Sequence, residues 1–149
     1  MTHCLKLTCA KSQLISSKAR AGRELVSVER WSIWRANLDP VVGSEQGRTR
    51  PVLVISETAA NNILPVVNVL PITSRKSGRR VYPNEALLGL GSAGLTEESL
   101  VLTYQIRTLD KRRLSRSYGK LDDIGQQERI LAALCFQLGV KRIHSPTDA

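Results

Sequence analysis

The sequence predicts a mainly β (α+β) fold: a small, twisted β-barrel or half-barrel with one long helix packed on it. Three observations carry this. Five or six apolar or alternating runs of strand length recur between residues 31 and 121. Pro- and Gly-containing loops separate them. The one long helical period comes last. With 149 residues and no internal repeat, one domain is the default.

The first strand is 31–38, where WSIWRANL alternates and Asp39-Pro40 ends the run. A polar loop, GSEQGRTR over 43–50, leads into a second strand at 51–56. ETAANN at 57–62 has the composition of one short helical turn. Residues 66–73 are almost all apolar and read as a buried third strand. The basic loop 74–80 follows, then a ragged strand within 81–88 and a turn marked by Gly89, Gly91 and Gly94. Residues 100–106 and 114–121 complete the strands. Asp122 or Asp123 can cap the final helix, Ile124, Leu131, Leu134 and Leu138 give it an apolar face, and Gly139 is a natural stop. Cys135 on this helix reads as a small core residue.

Residues 1–27 read as a basic extension: a flexible arm or a misassigned start, with a transit peptide as the alternative. The folded domain is expected over 28–141, with a tail from 142 to 149.

Net charge is +9, and its placement is informative. RKSGRR at 75–80 carries four basic side chains, and 103–121 carries six basic against one acidic. Clusters of this kind fit a polyanion, most simply nucleic acid, or else a solvated basic face. No apolar run is long enough to span a membrane. Cys4, Cys9 and Cys135 form no CxxC pair, which argues against a disulfide framework or a zinc site and fits a cytoplasmic protein. His3 and His144 lie near the termini, so the chemistry has no central histidine.

Arg50 stands at the mouth of the second strand, before Pro51, which holds it extended. Beside Ser44, Glu45 and Gln46 it can grip a phosphate with a bidentate guanidinium, or be an ordinary surface arginine.

Four segments together resemble the MazF/PemK-type toxins of bacterial type II toxin–antitoxin pairs, a family of endoribonucleases. They are WSIWRANLDP at 31–40, GSEQGRTRPVLVI at 43–55, VLPITS at 69–74 and QIRTLDKRRL at 105–114. The resemblance covers roughly 30–140 and implies an SH3-like barrel, a symmetric homodimer and an RNA groove along the dimer interface. It implies catalytic roles for Arg50 and Thr73. It places Ser44, Glu45 and Gln46 in the loop flanking the groove and Gln105 and Arg107 near the interface, and Arg48 is expected to bind substrate. The PemK branch has a histidine, an arginine and an aspartate where this chain has Ser44, Leu102 and Tyr104, so the chain sits nearer the MazF branch. The related gyrase poison CcdB acts through a Trp-Gly-Ile terminus, absent from a chain ending in Asp148-Ala149.

The implied reaction uses RNA's own 2′-hydroxyl and needs neither metal nor cofactor. Arg50 would stabilise the phosphorane, with general-acid duty secondary; Thr73 would bond a phosphate oxygen or orient the 2′-hydroxyl. Glu45 could be the base or pair with Arg48 or Arg50, and the ion pair is the expectation. Ser74, Lys76, Arg79, Arg80, Lys111, Arg112 and Arg113 are expected at the RNA backbone, without reading sequence. Trp31, Trp34 and Tyr104 are candidate stacking platforms, the tryptophans fitting core or interface better. Implied partners are single-stranded mRNA, a cognate acidic antitoxin, and operator DNA only together with that antitoxin. The alternatives are a CcdB-like DNA gyrase inhibitor and a non-catalytic nucleic-acid-binding barrel.

Overall fold

The computed structural model describes residues 27–141; the readings made for 1–26 and 142–149 lie outside it. The strands are β1 (Ser32–Asn37), β2 (Thr49–Val54), β3 (Val66–Ser74), β4 (Glu85–Leu88), β5 (Ser99–Leu102), β6 (Arg107–Asp110) and β7 (Leu114–Lys120). The helices are α1 (Thr58–Ile63) and α2 (Ile124–Leu138). All pairings are antiparallel, in the order β4-β5-β3-β2-β1-β7, with β6 also on β3. The sheet is not closed by hydrogen bonds. A 3-10 turn at Ser92–Gly94 instead bridges towards β7, where Gly94 and Gly119 allow close backbone approach to Tyr118 and Ala93.

β2 and β3 read as continuous apolar runs because both faces are covered. Leu53, Ile55, Leu70 and Ile72 enter one core cluster with Ile130 and Ala133 of α2. Val52, Val54, Val67 and Val69 enter a second with Leu38 and Leu109.

The strand expected at 100–106 is broken. Its first part pairs as β5 with Ile72–Ser74 of β3, and β6 pairs with Val66–Val69. The gap on β3 falls at Leu70-Pro71, and Pro71 has no N–H to offer a ladder. A 3-10 turn, Thr103–Gln105, spans the gap. Thr103 is fully buried, and its hydroxyl donates to Asn84 O at 2.7 Å.

α2 is capped as its sequence predicts. Asp123 accepts from Gln126 N–H at 3.0 Å, and Gly139 adopts the left-handed region. Its buried stripe is not the predicted one. Ile130 and Ala133 are the buried residues, flanked by Leu131 and Leu134, whereas Ile124 and Leu138 are 72% and 55% exposed. The sheet contacts only the middle of the helix, so its apolar ends are uncovered. Cys135 is half-buried rather than in the core.

Asn61 of α1 is 1% exposed and ties two segments together. Its amide donates to Val28 O at 2.9 Å and Ser56 O at 3.1 Å, and its oxygen accepts from Ser56 Oγ at 2.6 Å. Asn61→Ala should cost about 2–3 kcal/mol, because it strands buried carbonyls. Urea unfolding measures this; a loss below about 0.5 kcal/mol would show that water replaces the amide.

Candidate active site

Arg50 and Thr73 are 23 positions apart, yet the fold brings them together. β2 and β3 pair Val52 with Pro71, Leu53 with Leu70 and Val54 with Val69. The β2–β3 ladder ends at Val52 and Pro71, and beyond it the neighbouring strand ends carry Arg50, paired with Ala36 of β1, and Thr73, paired with Leu100 of β5, to the same cleft. Both line an open cleft of about 660 Å³, with Ser74, Lys76, Leu95 and Tyr118 on its walls. Thr73 is half-buried, and its hydroxyl makes no hydrogen bond among the described residues.

Arg50 is held by uncharged acceptors. Its Nε donates to Gly47 O at 2.8 Å and its Nη1 to Gln46 Oε1 at 2.6 Å. Its remaining three N–H donors bond nothing among the described residues, so a fork stays open to an anion.

The loop that carries these acceptors is tied on both sides. Arg48 N–H donates to Asp39 Oδ1 at 2.8 Å. A Cβ on Gly47 would lie 2.8 Å from that same oxygen and 2.9 Å from Val41 Cγ2, so a side chain there would displace these two. From across the site, Gln105 Nε2 donates to Ser44 O at 3.2 Å, and Gln105 Oε1 accepts from Gln46 N–H at 3.2 Å. Arg107 Nη1 donates to Gln46 O at 3.4 Å. Gln105 and Arg107, which the resemblance places near an interface, thus hold the motif loop as well.

The ion pair expected for Glu45 is absent. Its carboxylate accepts from Val42 N–H at 3.2 Å and lies within salt-bridge reach of neither Arg48 nor Arg50. The loop curls Glu45 back on its own start, and Gln46 takes the place beside Arg50.

The basic clusters divide. Lys76 lines the cleft and Arg80 is exposed, its guanidinium 6.0 Å from the Tyr82 ring. Arg79, expected at the RNA backbone, instead pairs at 2.6 Å with Glu85, whose side chain is 1% exposed. That buried carboxylate requires a partner, which commits Arg79 to the fold. Lys111 donates to Asn61 O, and Arg113 to Asn37 O and Asp39 O.

Arg112 forks onto Asp110, with both bonds at 2.9 Å. That guanidinium and the Arg112 N–H hold the Asp110 carboxyl down at about 2. A carboxylate depressed in the fold stabilises above its unfolded pKa of 3.8, and that contribution fades as pH falls towards 2. Asp110→Asn should therefore lower the melting temperature at pH 6, with the difference from wild type closing as pH nears 2. An equal difference at both pH values would contradict this.

Trp31 and Trp34 are half-buried against the two core clusters, and Tyr104 is exposed beside Gln105. Sequence reasoning missed Leu95 and Tyr118 as cleft residues. The Gly-rich turn signals only a turn, and nothing in its spacing shows that it lines the cleft with Arg50.

Comparison with known proteins identifies the family. Residues 29–138 match the family model described as PemK-like, MazF-like toxin of type II toxin-antitoxin system. Endoribonuclease EndoA of Bacillus subtilis (strain 168) is 40% identical over 96 residues, 64% of this chain and 82% of that protein. The crystal structure of MazF (Form-I) from Deinococcus radiodurans superposes with a TM-score of 0.63 at 29% identity, covering 76% of this chain and 98% of that one. The MazE–MazF (Form-I) structure from the same organism gives a TM-score of 0.55 at 25% identity, over 76% and 98% of the two chains. With the family model spanning the whole barrel and its helix, the chain belongs to the PemK-like, MazF-like toxins of type II toxin–antitoxin systems.

Proposed function

We propose that this toxin is an endoribonuclease that cuts single-stranded mRNA at the cleft between Arg50 and Thr73. The observation that carries the reading is an arginine fork, oriented by neutral groups, lining one cleft with a free threonine hydroxyl. The substrate's 2′-oxygen attacks phosphorus, the bond to the 5′-oxygen breaks, and a 2′,3′-cyclic phosphate remains. The 2′-hydroxyl proton leaves to a base, and the departing 5′-oxygen gains a proton. Arg50 stabilises the charge that builds on the non-bridging oxygens, where a fixed donor acts most strongly. Thr73 bonds one of those oxygens or orients the 2′-hydroxyl. Ser74, Lys76, Arg48 and Arg80 contact the backbone, and Ser44, Glu45 and Tyr104 read splayed bases. The reaction uses a nucleophile already in RNA and requires no metal.

The toxin domain occupies 28–141 and works as a cytoplasmic homodimer. The MazE–MazF structure at 25% identity supports an antitoxin partner for this chain as well. An acidic antitoxin segment complements the net charge of +9. Operator DNA would be met only by the toxin–antitoxin complex. Induced expression in cells tests the activity. Fragmented mRNA with intact DNA, relieved by co-expressed antitoxin, is expected; gyrase-dependent DNA breaks with intact mRNA would overturn it.

A further inference from the structure

We propose that Gln46 is a positioning residue that sets the Arg50 guanidinium for attack, and that Gln105 and Arg107 act through it. This rests on the reading of Arg50 as the phosphorane-stabilising group. A long arginine side chain has many rotamers, so a free Arg50 would sample many orientations around a phosphate. Two bonds remove that freedom here, from Nε to Gly47 O and from Nη1 to Gln46 Oε1. The second is the shorter, at 2.6 Å.

The chemistry of the clamps matters as much as their geometry. Arg30, Arg75, Arg79 and Arg112 are each held by a carboxylate. A carboxylate would orient Arg50 equally well but would cancel the charge the phosphorane needs. A carboxamide and a backbone carbonyl orient the guanidinium and leave its charge intact. The neighbouring carboxylate, Glu45, is turned away to Val42 N–H.

Gln46 is itself fixed from residues about 60 positions away. Its N–H donates to Gln105 Oε1 and its carbonyl accepts from Arg107. Gln105 ends the 3-10 turn rooted in the core by buried Thr103, whose hydroxyl bonds Asn84 O. A chain of hydrogen bonds thus runs from the core through Gln105 and Gln46 to Arg50. Displacing a reacting group by about 1 Å can cost a hundredfold in rate.

The test compares Gln46→Met, nearly isosteric but without the acceptor, with Gln46→Asn, which keeps the amide and withdraws its oxygen by one methylene. Both are assayed on a single-stranded RNA cut by the wild type, beside Arg50→Ala and Arg50→Ala/Gln46→Met. Both Gln46 variants should lose about 10–100-fold in kcat with KM within about threefold. Adding Gln46→Met to Arg50→Ala should leave RNA affinity and residual cleavage within about twofold, since there is no guanidinium left to position. A rise in KM with kcat preserved, or weaker RNA binding of the double variant, would make Gln46 a substrate contact and overturn the inference. So would an unchanged kcat in both Gln46 variants while Arg50→Ala is inactive. If Arg50→Ala itself cleaves normally, the functional reading fails first.

Discussion

Arg50→Ala is expected to lower kcat for RNA cleavage about 10³-fold and leave the fold intact. Loss of one oxyanion-stabilising donor from a preorganised site costs about 10²–10³ in rate. Arg50 supplies a charge as well as donors, so the upper end applies. The fold survives because the residue is half-exposed and bonds only loop acceptors at Gln46 and Gly47. Unfolding should shift by no more than about 1 kcal/mol. Arg50→Lys should recover less than about tenfold, since an ammonium cannot form the planar fork. Kinetics on a defined RNA, beside thermal melts, measure both quantities. A large drop in melting temperature would mean that Arg50 holds the loop rather than the phosphate.

Gly94→Ala should be the most damaging small substitution in the described structure. Gly94 sits at φ +81°, and a Cβ there would lie 2.4 Å from Tyr118 O. The clash is with backbone, on the strand that the turn must reach to bridge the open sheet. Strain at this φ adds to the clash, so a loss of about 3 kcal/mol is expected, or roughly 10 °C in melting temperature. Gly78→Ala is the control. Its φ is +74° but its Cβ would meet nothing within 4 Å, so about 1 kcal/mol is expected. Gly94 and Tyr118 also line the cleft, so residual folded Gly94→Ala should cut RNA more slowly. Equal losses for the two variants would show that backbone strain alone matters and that the turn is free to move.

Much of this architecture was legible in the chain because local signals agreed with the fold. The alternation of β1, the apolar runs of β2 and β3, and the Asp123 and Gly139 caps are properties of neighbouring residues. The misreadings share a cause, namely tertiary contacts that no local window contains. Residues 100–106 look like one strand, yet β3 accepts two short strands on one edge with Pro71 between them. The apolar period of α2 gave a stripe but not which turns of it meet the sheet. Arg50 stands out from its loop and Pro51 alone, whereas Thr73 depends on the resemblance, and the fold brings both to one cleft from neighbouring strands. Proximity in sequence and opposite charge favour a pair between Glu45 and Arg48 or Arg50, which the fold does not make. The loop's path chose Gln46 instead. Arg79 looked like a phosphate ligand because Glu85, its buried partner, lies beyond a loop.

The most direct test of the central claim is cleavage of a long single-stranded RNA by purified protein in EDTA, with Arg50→Ala in parallel and products mapped by primer extension. Discrete cuts ending in a 2′,3′-cyclic phosphate, present with EDTA and lost in the variant, are the predicted result. RNA left intact across varied sequences, or the same cuts from Arg50→Ala, would contradict it.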